Sequence, residues 1–151
     1  MPLYETDLLI DLVDRKRQIL AQLCQQGLRQ MELIDRNDLG ELLNVLAVKQ
    51  QLILALQETE RELDAFRDQQ PDQRRWRTAG ERVRCARLLN DCETLLAETL
   101  RQERVSEAEL KHRRDEAAGR LAQAHTADQA RQAYVPRHEA GVSQLDLSSE
   151  N

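Results

Sequence analysis

Residues 38–66 read Asp38-Leu-Gly-Glu-Leu-Leu-Asn-Val-Leu-Ala-Val-Lys-Gln-Gln-Leu-Ile-Leu-Ala-Leu-Gln-Glu-Thr-Glu-Arg-Glu-Leu-Asp-Ala-Phe66. Leu39, Leu42, Leu46, Lys49, Ile53, Leu56, Glu60 and Leu63 succeed one another at alternating steps of three and four. That spacing is a heptad seam, and Val45, Leu52 and Phe66 widen it on one side. Asp38 suits an N-cap, and Glu41 three residues on closes a capping box. A helix with so broad an apolar face needs partner helices, and the sequence on either side offers two.

Before it, residues from about 3 to 34 repeat the pattern. Leu9, Leu12, Val13, Ile19, Leu20, Leu23, Leu33 and Ile34 fall on one face, with Lys16 interrupting the seam and Gly27 thinning it. Asp35-Arg36-Asn37-Asp38 supplies turn chemistry, and so short a connection makes the first two helices antiparallel neighbours. The second helix should stop near Asp68, because Pro71 disfavours a helical residue before it. Thr78 with Glu81 starts a third helix, whose stripe is Cys85, Leu88, Leu89, Cys92, Leu95, Leu96 and Leu100. From Arg101 to Glu116 ten of sixteen residues are charged, leaving Val105, Ala108 and Leu110 as the apolar ones. After about Ala124 the helical signal fails.

The expected fold is therefore all-α: an elongated, coiled-coil-like antiparallel three-helix bundle with a longer third helix and a flexible C-terminal tail. Its helices cover about 3–34, 38–68 and 78–124, so that 1–124 is the bundle and 125–151 the tail. Composition agrees, since aromatics are only 3% and there are five Gly and three Pro in 151 residues. The connections favour an internal bundle over an intermolecular zipper, and a homodimer can add to it.

Little chemistry is on offer. His112, His125 and His138 have no metal-binding spacing, and no Gly-rich phosphate loop or nucleophile motif is present. Cys85 and Cys92 share a face but stand two turns apart, about 10.5 Å by helix rise. That is too far for a disulfide or a shared metal ion. The expectation is no enzyme, no catalytic residue, no cofactor and no metal. Arg74, Arg75, Arg77, Arg82, Arg84 and Arg87 around Trp76 raise a nucleic-acid reading. The net charge of −5 weighs against it. No long apolar run suggests membrane insertion. An odd number of cysteines without framework spacing fits a reducing cytoplasm.

Met31-Glu-Leu-Ile-Asp-Arg-Asn-Asp-Leu-Gly-Glu-Leu-Leu43, followed by Lys49-Gln-Gln-Leu52, resembles the layout of the FlgN-type flagellar export chaperones. In that family a first helix runs into a short turn, an Asp-Leu helix start and a Lys/Gln-plus-Leu stretch. The resemblance spans about residues 8 to 100 and rests on layout. It implies a cytoplasmic chaperone that holds hook–filament junction proteins before their export by the flagellar type III apparatus. It also implies client binding by the C-terminal segment and docking at an export-gate component through a tyrosine there. Tyr134 is the tyrosine available, and Leu145 and Leu147 are the implied client anchors. The thinly filled stretch with Val105 and Leu110 supplies a further surface, because a chaperone can cover a client's apolar stripe with a helix of its own. Two other readings stand beside this one. One is a structural coiled-coil adaptor or stalk component of a secretion apparatus, and the other a nucleic-acid-binding regulator.

Overall fold

The computed structural model describes the backbone of residues 4–149 and the side chains of residues 4–134. Three α-helices lie among the described residues: α1 (Glu5–Asp35), α2 (Leu39–Arg67) and α3 (Ala79–Ser149). A single 3-10 turn at Pro71–Gln73 separates the last two. The protein is an all-α three-helix bundle.

Each boundary has a local cause. Asn37 sits at φ 57°, in the left-handed region that asparagine tolerates better than most side chains. It reverses the chain between α1 and α2. The Asp38 carboxylate accepts the Glu41 backbone N–H at 3.2 Å, and the Thr78 hydroxyl accepts that of Glu81 at 3.1 Å. Both expected caps therefore form. Pro71 ends α2 by starting the 3-10 turn, and the Phe66 carbonyl at the helix end accepts both the Gln69 backbone N–H and the Arg74 guanidinium.

Cross-helix partners fix the directions. Arg15 meets Glu62, Lys16 meets Glu60 and Gln30 meets Lys49, so α1 and α2 are antiparallel. Cys92 donates to the Val13 carbonyl, and Gln102 donates to the Cys24 carbonyl. α3 therefore runs parallel to α1 and antiparallel to α2. Two apolar clusters form the core. The larger joins Leu9, Leu12, Val13, Leu20 and Leu23 to Leu63, Phe66, Cys85, Leu88 and Cys92, and the smaller joins Leu33 and Ile34 to Leu42 and Val45.

All eight residues assigned to the α1 face are buried. On α2 the seam is displaced. The residues turned inward are Leu42, Val45, Lys49, Leu52, Leu56, Thr59, Leu63 and Phe66, whereas Leu39, Leu46 and Ile53 are exposed. The cause is that α2 carries apolar residues on two sides, and α1 takes the side containing Val45 and Phe66. On α3, Cys85, Leu88 and Cys92 are buried, while Leu89, Leu96 and Leu100 are exposed.

The chain divides into two compact units, one ending at Glu109 and the other beginning at Leu110. The second is α3 from Leu110 onward. The sequence placed the end of this helix near 124, but the helix continues to Ser149. Residues 117–134 are rich in Ala, with Gln and Arg beside it, and these residues lose little on entering a helix. Every side chain from 114 to 134 is exposed.

Candidate protein-interaction site

The side chains expected to bind a client are exposed at every described position, Val105, Leu110 and Tyr134. Val105 and Leu110 are 41% and 37% exposed, but five residues is about 140° around a helix, so they do not share a face. Tyr134 is 84% exposed on α3. The side chains of Leu145 and Leu147 lie outside the described residues. Helical phase instead groups Leu110 with Ala117, Leu121 and Ala124, at steps of seven, four and three. Leu121 is 71% exposed, so this thin apolar stripe faces solvent.

A second apolar surface, on α2, escaped the sequence reading, which assigned Leu39, Leu46 and Ile53 to the buried seam and placed Leu43 and Leu54 on no face. Leu39, Leu43, Leu46, Ile53 and Leu54 are between 38% and 68% exposed. At 100° per residue they fall in a strip about 100° wide, centred near Gln50 and Gln57. Between Leu42 and Gln57 the single charged residue is Lys49, which is turned inward. By length and composition α2 could cross a membrane, with mean hydropathy 1.4 over its most apolar 18 residues. The signal was the absence of charge from Leu42 to Gln57 outside position 49.

Lys49 belongs to a polar layer between the two core clusters. Its ammonium donates to Gln30 Oε1 at 2.7 Å and pairs with the Glu103 carboxylate, tying α2 to both other helices. Burial pushes the Lys49 pKa down from its ordinary value. Gln102 lies against Gly27, where an added Cβ would overlap Gln102 Oε1 and come within 2.7 Å of its Cδ. Ser106 Oγ and Gln102 Oε1 are buried without a hydrogen-bond partner. This layer fits the helices together.

Two guanidinium groups of the arginine cluster, those of Arg74 and Arg77, are held by the protein's own groups. Arg77 pairs with Asp7 at 2.7 Å and stacks over the Tyr4 ring at 5.2 Å. Arg74 serves Phe66, the Arg75 carbonyl accepts the Thr6 hydroxyl, and Trp76 packs against the larger core cluster. A cleft of about 670 Å³ beside them is lined by acids and bases alike, including Glu5, Asp68, Arg74 and Arg75. Among the described residues no group of three or more His, Cys, Asp or Glu side chains is placed to hold a metal ion. Cys85 and Cys92 are buried free thiols whose pKa values desolvation raises, which leaves them protonated core residues at neutral pH.

Family models, curated proteins and solved structures gave no match to this chain. The class of the molecule therefore rests on its own architecture, a helical bundle whose notable surfaces are apolar helix faces.

Proposed function

We propose that this chain is a cytoplasmic export chaperone of the flagellar type III apparatus, binding hook–filament junction proteins before their secretion. The observation that carries the reading is the stretch of α3 from 114 to 134, which is helical with every side chain exposed. A helix usually owes most of its stability to burying a face, and this one offers the stripe Leu110, Ala117, Leu121 and Ala124 without using it. A client segment that becomes a coiled coil only after assembly has a complementary stripe to cover. The layout around Asp38 supports the same reading by its resemblance to the FlgN-type chaperones. Tyr134, exposed on the same helix, is the residue assigned to docking at an export-gate component, and Leu145 and Leu147 remain assigned to the client.

The test is calorimetric titration of the full chain with terminal segments of junction proteins, repeated with Leu121→Asp. Leu121 is exposed, so its replacement leaves the fold intact, and a loss of affinity of tenfold or more is expected. Undiminished binding moves the client off this stripe. No binding to any junction segment removes the chaperone reading.

A second reading is favoured by one observation. α3 runs without interruption for 71 residues, as a structural coiled-coil adaptor of a secretion apparatus requires. An adaptor would ignore free junction segments in the titration and self-assemble or bind a permanent partner along α3.

A further inference from the structure

We infer that the outward face of α2 is an interface with a second copy of this chain, the two α2 helices crossing antiparallel about a two-fold axis at Gln50. The face consists of Leu39, Leu43, Leu46, Ile53 and Leu54, all substantially exposed, on the side of α2 turned away from the core residues Val45 and Phe66. Monomeric proteins seldom leave so continuous an apolar surface open to water.

The chemistry of the face selects its partner. No charge projects from it between Leu42 and Gln57. A charged partner would lose hydration there without gaining an opposite charge. A second copy of the same face meets the requirement, and its spacing is close to symmetric about Gln50. Leu46 stands four residues before Gln50 and Leu54 four after, while Leu43 stands seven before and Gln57 seven after. An antiparallel two-fold arrangement therefore sets Leu46 against Leu54 of the second copy, and Leu43 against Gln57 of the second copy. The one polar residue on the axis is an amide, which can donate and accept and so can pair with itself. Closed two-fold contacts of this kind are isologous, with one patch serving both sides.

The area is sufficient. Lys49 and Glu103 meet at the seam between α2 and α3, and Leu96 and Leu100 stand about 20° and 60° around α3 from Glu103. With Leu89 they continue the apolar surface on the α2 side of α3, each between 41% and 49% exposed. At about 30 Å² per exposed carbon, the ratio of the methylene and area coefficients, the eight side chains present on the order of 500 Å². Since interfaces are a little over half apolar, that corresponds to about 800 Å² per protomer. Stable dimers bury about that much on each side.

Sedimentation velocity of the full chain between about 1 and 100 µM tests the inference in the concentration range set by an interface of standard size. The expected species has twice the 17.5 kDa chain mass. Leu46→Glu and Leu54→Lys should each raise the dissociation constant at least tenfold while the circular dichroism stays unchanged. Mixing the two variants should restore a dimer, because the antiparallel arrangement sets the acid against the base. A monomer throughout the range overturns the inference, as does a dimer indifferent to both substitutions or a mixture that fails to re-form one. Binding of a monomer to phosphatidylglycerol vesicles, abolished by Leu46→Glu, would also overturn it and assign the face to a lipid surface. None of these readouts involves a junction protein, so the outcome is separate from that of the chaperone reading.

Discussion

The two ends of the bundle are held together by different means. At one end the helices meet over Leu9, Leu12, Val13, Leu20, Leu63, Phe66, Cys85 and Leu88, a continuous apolar core. Towards the turn between α1 and α2 they meet over Gln30, Lys49, Gln102 and Ser106, with a small apolar cluster beyond. Burial of apolar surface is strong but indifferent to register, because one leucine layer fits another nearly as well after a one-heptad slip. A buried ammonium that must find Gln30 and Glu103 tolerates no such slip. The comparison assigns stability to the first end and alignment to the second.

The largest expected effect falls at the apolar end. Leu20 is completely buried, and Leu20→Ala removes its packing and leaves a cavity between three helices. Such truncations cost about 2–5 kcal/mol, which urea denaturation would register as a lower midpoint. A loss below about 1 kcal/mol would show that the site collapses easily and that the stability lies elsewhere.

The same contrast explains what could be read in the sequence. The α1 face was legible residue by residue, because Leu9 to Ile34 recur on one side and charges fill the other. The caps at Asp38 and Thr78 were legible from the side chain and its partner three residues on. The α2 seam was legible only in part. Leu46 and Ile53 satisfy a heptad as well as Val45 and Leu52 do, and periodicity carries no information about which stripe a neighbour takes. Lys49 was placed on the seam correctly, but its partners Gln30 and Glu103 are distant in the chain and were not identified. The interaction surfaces were least legible, since an exposed apolar stripe and a buried one have the same pattern in one dimension. For α3, a fading apolar stripe was read as the end of the helix near 124. It marks the end of burial, while the local preferences of Ala, Gln and Arg carry the helix onward.

An intermediate effect is expected at Gly27, where the Gln102 side chain of α3 lies against α1. Gly27→Ala places a methyl group where the Gln102 amide lies, so the flexible Gln102 side chain must turn away and release the Cys24 carbonyl. The loss should be about 1–2 kcal/mol, one buried hydrogen bond together with the strain of the new rotamer. Adding Gln102→Ala should recover part of it by vacating the space. A double variant no more stable than Gly27→Ala alone would mean that Gly27 serves the backbone approach of the helices and not this side chain.

The smallest net effect is the most informative about the polar layer. Lys49→Met alone strands Gln30 Oε1, a buried acceptor, and should destabilise by about 1–3 kcal/mol. Replacing both partners, Gln30→Leu with Lys49→Met, removes the ammonium and its acceptor together. Glu103 is about half exposed and can turn to water. The double variant should then lie within about 1 kcal/mol of the parent, or above it. The pH dependence gives the sign independently. Burial lowers the Lys49 pKa in the folded protein below its unfolded value of 10.5. Between those two values the unfolded chain holds more protons, so this group makes stability rise with pH. Its cost to folding is fully present below the folded pKa and is relieved as pH climbs to 10.5. Denaturation midpoints at pH 7 and pH 10 should therefore diverge less in the double variant than in the parent. If the double variant is stable yet shows broadened, multiple amide resonances, the layer sets register at little cost in stability. If it is less stable by several kcal/mol and unchanged in uniqueness, the polar end holds the bundle together by the same means as the apolar end, and the contrast between them fails.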